Sequence, residues 1–182
     1  MYIRLFWGVD DIEITEKLLK MLPNDFAGSL LDVPSGSPNE DKNMFTIRYV
    51  CEEDKEFWYT LDKHLSINEF ILKCRDKRGY IISDNEMPIG IMRYNLFWDM
   101  VPFLTFIYID DARQNKGFGK KAVFYWENEM RNLGYEMLMT STQANEEAQH
   151  FYRKLGYIDR GGIFLDNTPF EQPQEMLLIK VL

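Results

Sequence analysis

Asp110-Asp111-Ala112-Arg113-Gln114-Asn115-Lys116-Gly117-Phe118-Gly119-Lys120-Lys121 is the stretch of this chain whose residue types and spacing best suit chemistry. It follows an almost wholly apolar run, Phe103–Ile109, and precedes residues that are apolar at helical spacing. A loop so placed ends at a helix N-terminus, where backbone N–H groups lack intrahelical acceptors and the helix dipole favours an anion. Glycines at 117 and 119 would let the main chain approach a pyrophosphate with no Cβ in the way. Lys116, Lys120 and Lys121 supply positive charge beside it. The expected chemistry is the holding of a phosphorylated ligand. The plain alternative is an ordinary helix start with flexible glycines.

Two nucleotide patterns compete for the loop. Gly117-Phe118-Gly119-Lys120-Lys121-Ala122 formally satisfies the Rossmann glycine pattern, a weak signal alone. That pattern sets its first glycine in a tight turn directly after the strand. Here polar residues from Asp110 to Lys116 intervene, and a hairpin precedes the strand. The P-loop pattern fails, because no Gly-Lys-Ser/Thr stands at the required place.

The elements that must position this loop can be read from periodicity. Residues 45–50 alternate like a half-buried strand, and residues from Glu52 to about Lys73 carry helical spacing through Phe57, Leu61, Leu65, Phe70 and Ile71. Residues 80–82 and 89–94 read as strands, with turn chemistry between them at Ser83-Asp84-Asn85-Glu86, so a hairpin is expected. The apolar run 103–109 reads as a central strand. A helix is predicted over 117–133, with a core stripe of Val123, Trp126, Met130 and Leu133, and with Gly134 as its left-handed cap. A strand over 137–140, a helix over 144–155 and strands over 163–165 and 176–181 complete an α+β domain, a mixed sheet with helices on its faces.

A second constellation follows at Asn145-Glu146-Glu147-Ala148-Gln149-His150-Phe151-Tyr152-Arg153-Lys154-Leu155-Gly156-Tyr157. Gln114-Asn115-Lys116-Gly117-Phe118-Gly119 resembles the Gln/Arg-x-x-Gly-x-Gly/Ala loop of the GNAT acetyltransferase superfamily. The later segment resembles that family's Asn-x-x-Ala-x-x-Phe-Tyr-x-x-x-Gly-Phe/Tyr helix, in the same order and after the matching strand. Two such matches at a suitable separation are much harder to obtain by chance than either alone. The resemblance covers about residues 45–182.

The resemblance implies a mostly antiparallel sheet splayed between two central parallel strands, one ending Ile107-Tyr108-Ile109 and the other at 137–140, with helices on both faces. It implies acetyl-coenzyme A as the acyl donor. The pantetheine arm would pair with the open main chain of Ile107, Tyr108 and Ile109. The N–H of Ile109, or a neighbour at the bulge, would polarise the thioester carbonyl. Main-chain N–H groups from Gln114 through Asn115, Lys116, Gly117 and Phe118 to Gly119, with Lys120 beside them, would hold the pyrophosphate. Asn145 would bond the pantetheine arm, with Ala148 also at the cofactor. Tyr152 would sit beside the sulfur and protonate the departing thiolate. A phenol suits that task, since with a pKa near 10 it stays protonated at neutral pH. The rival reading of Tyr152 is a core aromatic on a helix face shared with Ala148 and Leu155.

The implied reaction is direct attack of a primary amine, from a small molecule or a protein N-terminus, in a ternary complex with no covalent enzyme intermediate. His150, two positions from Tyr152, points elsewhere. Phe151, Trp126 and the methionines fit the core better than the site. One departure from the family concerns the base, for Phe103–Ile109 holds no carboxylate. Glu86, Asp99, Asp110 and Tyr108 each fit a loop or surface role better, so the base is left unassigned. The acceptor's walls are expected from Trp58 and Tyr59, the segment 94–99 and the loop 166–174. The second reading is a sensor that binds acetyl-coenzyme A without turnover.

Composition narrows the remaining choices. A formal net charge of -8 argues against general nucleic-acid binding and tolerates a cationic acceptor. Cys51, Cys74, His64 and His150 make no metal-ligand spacing and no redox pair, which fits a reducing cytoplasm and no bound metal. No uncharged apolar run reaches about 18 residues, so no membrane span is expected. The acidic Asp10-Asp11 comes too soon for a secretory signal.

The Pro/Gly/Ser-rich stretch from Val33 to Asn43 divides a front segment, 1–44, from the acetyltransferase-like domain, 45–182. Ile14, Leu18, Leu19, Met21 and Leu22 suggest a short front helix that Pro23 ends. Residues 27–37 weakly resemble the first strand and loop of S-adenosylmethionine-dependent methyltransferases. The acidic residue expected after a second strand has no room, so methyl transfer is set aside. The front segment could cover the acceptor side or mediate a homodimer.

Overall fold

The structure, a computed structural model, describes residues 44–182. The helix and strand expected in the front segment lie outside the described residues. In chain order the elements are β1 (Phe45–Tyr49), a 3-10 turn (Glu52–Asp54), α1 (Lys55–Leu61), α2 (Ile67–Arg75), β2 (Gly79–Asp84), β3 (Met87–Phe97) and β4 (Val101–Ile109). A second 3-10 turn (Asp111–Arg113) leads to α3 (Phe118–Asn132), β5 (Met137–Gln143), α4 (Ala148–Lys154), β6 (Ile158–Ile163) and β7 (Glu175–Val181). The strands form one sheet in the order β1-β2-β3-β4-β5-β7-β6. All neighbours run antiparallel except the central pair β4 and β5, which is parallel.

The expected hairpin is present, and its strands are longer than periodicity suggests. Asn85 and Glu86 at its tip have φ of 52° and 65°. Two successive left-handed residues give the turn whose twist matches paired strands. Alternation along β2 and β3 then feeds two cores. Tyr80, Ile82, Met92 and Tyr94 pack with Ala122, Val123, Trp126 and Met130 of α3. Ile81 and Ile91 join Trp58 of α1 and Phe70 of α2. Helices therefore cover both faces. Among the described residues, no helix is long and apolar enough to cross a membrane.

Three expectations need correction. The helical spacing over 52–73 is two helices, because Asp62 ends the first and turns its fully buried carboxylate to the Arg93 guanidinium, 2.8 Å away. Ser66 then restarts the helix, its side chain accepting from the Glu69 N–H at 3.3 Å. Leu133, counted in the α3 stripe, is exposed, because the helix ends one residue earlier. Gly134 follows at φ 86°, where its N–H bonds the Arg131 carbonyl and that of Tyr135 the Met130 carbonyl, closing the helix as expected. The strand expected over 163–165 lies earlier, as β6, and is exposed at every position. An outer strand needs no apolar face, and its Asp159 pairs with Arg153 of α4 at 2.8 Å.

Candidate active site

The central parallel pair holds together at only two positions, Phe103 opposite Met139 and Leu104 opposite Thr140. Beyond them the strands part around a cavity of about 440 Å³, walled by Thr105–Ile109 of β4, Thr140–Thr142 of β5 and Ala148, Phe151 and Tyr152 of α4. The parting begins at a bulge. Tyr94 of β3 faces Leu104, but Arg93 faces Phe106, so Thr105 is an extra residue in β4. Past the bulge the ladder is regular up to Asp110, whose N–H bonds the Ile89 carbonyl at 2.8 Å. In an antiparallel ladder these bonds alternate, so Phe106 and Tyr108 turn their N–H groups to β3. Ile107 and Ile109 turn theirs toward the gap. A β-strand edge thus lies open inside the molecule.

β3 reaches the outer end of this edge because Gly90 carries no side chain. A Cβ there would lie 2.6 Å from the Tyr108 carbonyl oxygen and 2.7 Å from Ile109 Cδ1.

A second cavity, also about 440 Å³, surrounds the start of α3. Ile109, Gln114, Gly119 and Phe151 wall both, so the two form one track. The loop between them is tied from below. Gln114 donates to the Ile109 carbonyl at 2.9 Å and to the Asp111 carboxylate at 2.8 Å, and the Tyr108 hydroxyl donates to the same carboxylate at 2.7 Å. Arg113 pairs at 2.8 Å with the buried Asp84 of β2. Gly117 caps the helix at φ 84°, a conformation that needs glycine. Phe118 sends its ring into the core, stacked on Phe45, and so anchors the first turn. A Cβ at Gly119 would meet only the Phe151 ring, at 3.7 Å. Lys120 and Lys154 bring positive charge to this end of the track in an otherwise acidic chain, whereas that of Arg113 is offset by Asp84.

Tyr152 stands at the other end. Its ring is buried between Phe151 and Tyr157, at centroid distances of 5.2 and 5.5 Å. Burial pushes its phenol up to about 12, opposed by the neighbouring Thr140 hydroxyl and assisted by the Glu146 carboxylate. Thr140 belongs to the last rung before the strands part, and its hydroxyl donates to the Leu104 carbonyl at 3.0 Å. The phenol therefore lies at the closed vertex of the gap, within the cavity and within the core at once.

The candidate residues of the sequence divide clearly. Ile107, Tyr108, Ile109, Gln114, Gly119, Ala148 and Tyr152 wall the first cavity, and Asn115, Gly117, Phe118 and Lys120 the second. Lys116 walls neither; it is exposed and donates to the Ala112 carbonyl at 3.0 Å. Asn145 also walls neither, because α4 begins at Ala148 and Asn145 lies in the exposed turn before it. Glu146 faces the cavity instead, its carboxylate accepting from the Thr142 hydroxyl at 2.8 Å.

Phe151, expected in the core, walls both cavities, and Thr105, Thr140 and Lys154 join the walls without having been expected there. The Phe-Tyr pair of the second motif is a usable signal for Phe151; the others depend on strand register and helix placement. Trp58, expected at the acceptor, is fully buried in the core under α1 and α2, so it cannot wall a site. Glu86 and Asp99 occupy exposed hairpin turns, and Asp110 accepts from the Ala112 N–H at 3.2 Å as a turn cap.

A sheet opened between parallel central strands, with a glycine-capped helix at one end of the gap and a buried phenol at the other, is the arrangement that the resemblance in the sequence implies. The model of the acetyltransferase (GNAT) family matches residues 43–157, and the chain belongs to that family. The family draws its acetyl group from acetyl-coenzyme A. Solved structures share the fold at low identity. The ribosomal-protein-S18-alanine N-acetyltransferase of Escherichia coli is 17% identical, with a TM-score of 0.64 over 76% of this chain and 94% of that one. An acetyltransferase of Bacillus subtilis in complex with coenzyme A is 19% identical, with a TM-score of 0.62 over 76% and 99%. The spermidine/spermine N-acetyltransferase of Vibrio cholerae is 16% identical, with a TM-score of 0.61 over 75% and 92%. Comparison with curated protein sequences gives no significant match.

Proposed function

We propose that this protein transfers an acetyl group from acetyl-coenzyme A to a primary amine by direct attack in a ternary complex. One observation carries the reading: a continuous track runs from the Gly117 loop, along the open edge of β4, to the Tyr152 phenol. The pyrophosphate would lie at the first turn of α3, among main-chain N–H groups and near Lys120. The pantetheine arm would take the position of a missing strand against Ile107 and Ile109.

Vertex geometry supports a division of roles along β4. If the sulfur lies beside Tyr152, the first inward N–H it meets is that of Ile107; Ile109 lies two residues, about 6.6 Å, further out. We therefore assign the thioester carbonyl to the Ile107 N–H and the pantetheine arm to that of Ile109. The amine nitrogen would attack the carbonyl carbon, the carbon–sulfur bond would break, and Tyr152 would pass its proton to the sulfur. The proton lost by the amine would leave through water.

Relatives named for a protein alanine and for polyamines span both acceptor kinds, and a primary amine is the chemistry common to them. We read residues 45–182 as the catalytic domain and 1–44 as an extension.

Thermal unfolding with acetyl-coenzyme A, NAD and S-adenosylmethionine in parallel tests the reading. Acetyl-coenzyme A at about 100 times its dissociation constant should stabilise the fold by about 2.7 kcal/mol, and the other two should leave the midpoint unmoved. A shift with NAD alone, or with none of them, would return the glycine loop to its rivals. The lack of a carboxylate on β4 favours the second reading, a sensor that binds without turnover. Release of free thiol with a panel of amines separates the two.

A further inference from the structure

The bulge that opens the gap is not left loose. Thr105 and Arg93 bond reciprocally: the Arg93 guanidinium donates to the Thr105 Oγ1 at 2.9 Å, and that hydroxyl donates to the Arg93 carbonyl at 3.2 Å. The same guanidinium donates through Nε to Asp62 at 2.8 Å and lies over the Phe106 ring, 5.0 Å from its centroid. Asp62 is fully buried, and its second oxygen accepts from the His64 N–H at 3.1 Å. A chain of bonded groups thus runs from the α1–α2 connection through β3 to the one extra residue of β4. On the other side of the rung, Thr140 bonds the Leu104 carbonyl.

A buried ion pair is weak evidence for stability, since burying both charges costs about as much as their attraction returns. It does fix geometry, because a guanidinium presents its donors in a rigid fork. Here one arm of the fork is held by a fully buried carboxylate that is itself bonded to the His64 N–H, and the other grips the bulge. A bulge left free lets the residues beside it swing, and Ile107 carries the first inward N–H beyond it. Ile109, further out, stays held by the regular ladder that ends in the bond from the Asp110 N–H to the Ile89 carbonyl.

We propose that Arg93 and Asp62 are positioning residues of acyl transfer, which act through the Thr105 hydroxyl to hold the bulge and thereby aim the Ile107 N–H at the thioester carbonyl. The proposal rests on the acyl-coenzyme A reading of the cleft. It predicts that the grip on Thr105 matters for a bound acetyl thioester and not for bound coenzyme A, which has no carbonyl at that position.

Thr105→Val tests this, for it removes the hydroxyl, keeps the branched shape and leaves the Asp62–Arg93 pair intact. Thr105→Ser restores the hydroxyl. Affinities for acetyl-coenzyme A and coenzyme A are measured by calorimetry, together with the carbonyl stretch of bound [1-13C]acetyl-coenzyme A by difference infrared spectroscopy. With Thr105→Val, affinity for the acetyl form should fall about tenfold, the loss of one well-aligned hydrogen bond, with coenzyme A affinity held within about twofold. The carbonyl band should move back toward its position in free solution, and Thr105→Ser should return both readouts to the native values.

Equal loss for both ligands, an unmoved band, or the same defect in Thr105→Ser would overturn the positioning role while leaving the cleft's function standing. Failure of the native protein to bind either ligand would remove the acyl-coenzyme A reading and this role with it.

Discussion

Tyr152→Phe should lower turnover of acetyl-coenzyme A by about 10²-fold or more, the range over which a positioned proton donor acts. The Michaelis constant for acetyl-coenzyme A and the midpoint of thermal unfolding should change little. The ring would keep its packing against Phe151 and Tyr157 and lose one oxygen at the cavity wall. Steady-state kinetics and thermal melts on the same preparations check both halves. With its phenol pushed up to about 12, Tyr152 stays protonated through the accessible range, so its own titration adds no alkaline limb below about pH 11. Full turnover by the variant would exclude an acid role and leave Tyr152 a core aromatic. Burial alone cannot decide this, because the residue belongs to core and cavity together.

Gly119→Asp should weaken acetyl-coenzyme A binding by at least about 10²-fold, the loss of two charge-assisted bonds at about 1.5 kcal/mol each. Gly119 is the second residue of α3 and walls both cavities, so the new carboxylate would stand where the pyrophosphate is expected. The same carboxylate suits a helix N-terminus and would stabilise the unliganded fold by about 0.3–1 kcal/mol. Binding and stability should therefore move in opposite directions, which separates a blocked site from a damaged one. Gly119→Ala is the control: its methyl group would meet the Phe151 ring at ordinary contact distance, 3.7 Å. Calorimetric titration and melts of the unliganded variants measure both quantities. Native affinity in Gly119→Asp would mean that the anion lies elsewhere.

What is legible in the sequence, and what is not, follows from the range of the interactions involved. The glycine loop, the α3 stripe as far as Met130 and the apolar strand β4 are local patterns, and each stands where its spacing predicts. The break between α1 and α2 has a visible sign, Ser66 with Glu69 three residues on, which the surrounding helical spacing masks. Its deeper cause, Asp62 reaching Arg93, joins residues 31 apart and leaves no local trace. The bulge at Thr105 is a property of register between two strands, so no single segment shows it. The spacing around Asn145 matches the motif, but motif spacing does not show that α4 starts three residues later or that Glu146 lines the cavity. β6 escapes a search for apolar alternation because an outer strand with Asp159 and Arg160 has no reason to be apolar.

The parting of β4 from β5 carries a hazard as well as a use. Any unpaired strand edge is a template for another extended chain, and most proteins confine such edges to their margins. Here a pair of them faces inward across the gap, joined only at the rungs of Phe103 and Leu104. The flanks of the gap are guarded by Phe151 and Tyr152 and by the anchored turn at Gly117. A polypeptide carries side chains on alternate faces and would collide with these walls. The β-alanine and cysteamine end of pantetheine, in which unbranched methylenes flank the amides, would not. The guard that admits such an arm would also keep the molecule from recruiting strangers into its own sheet.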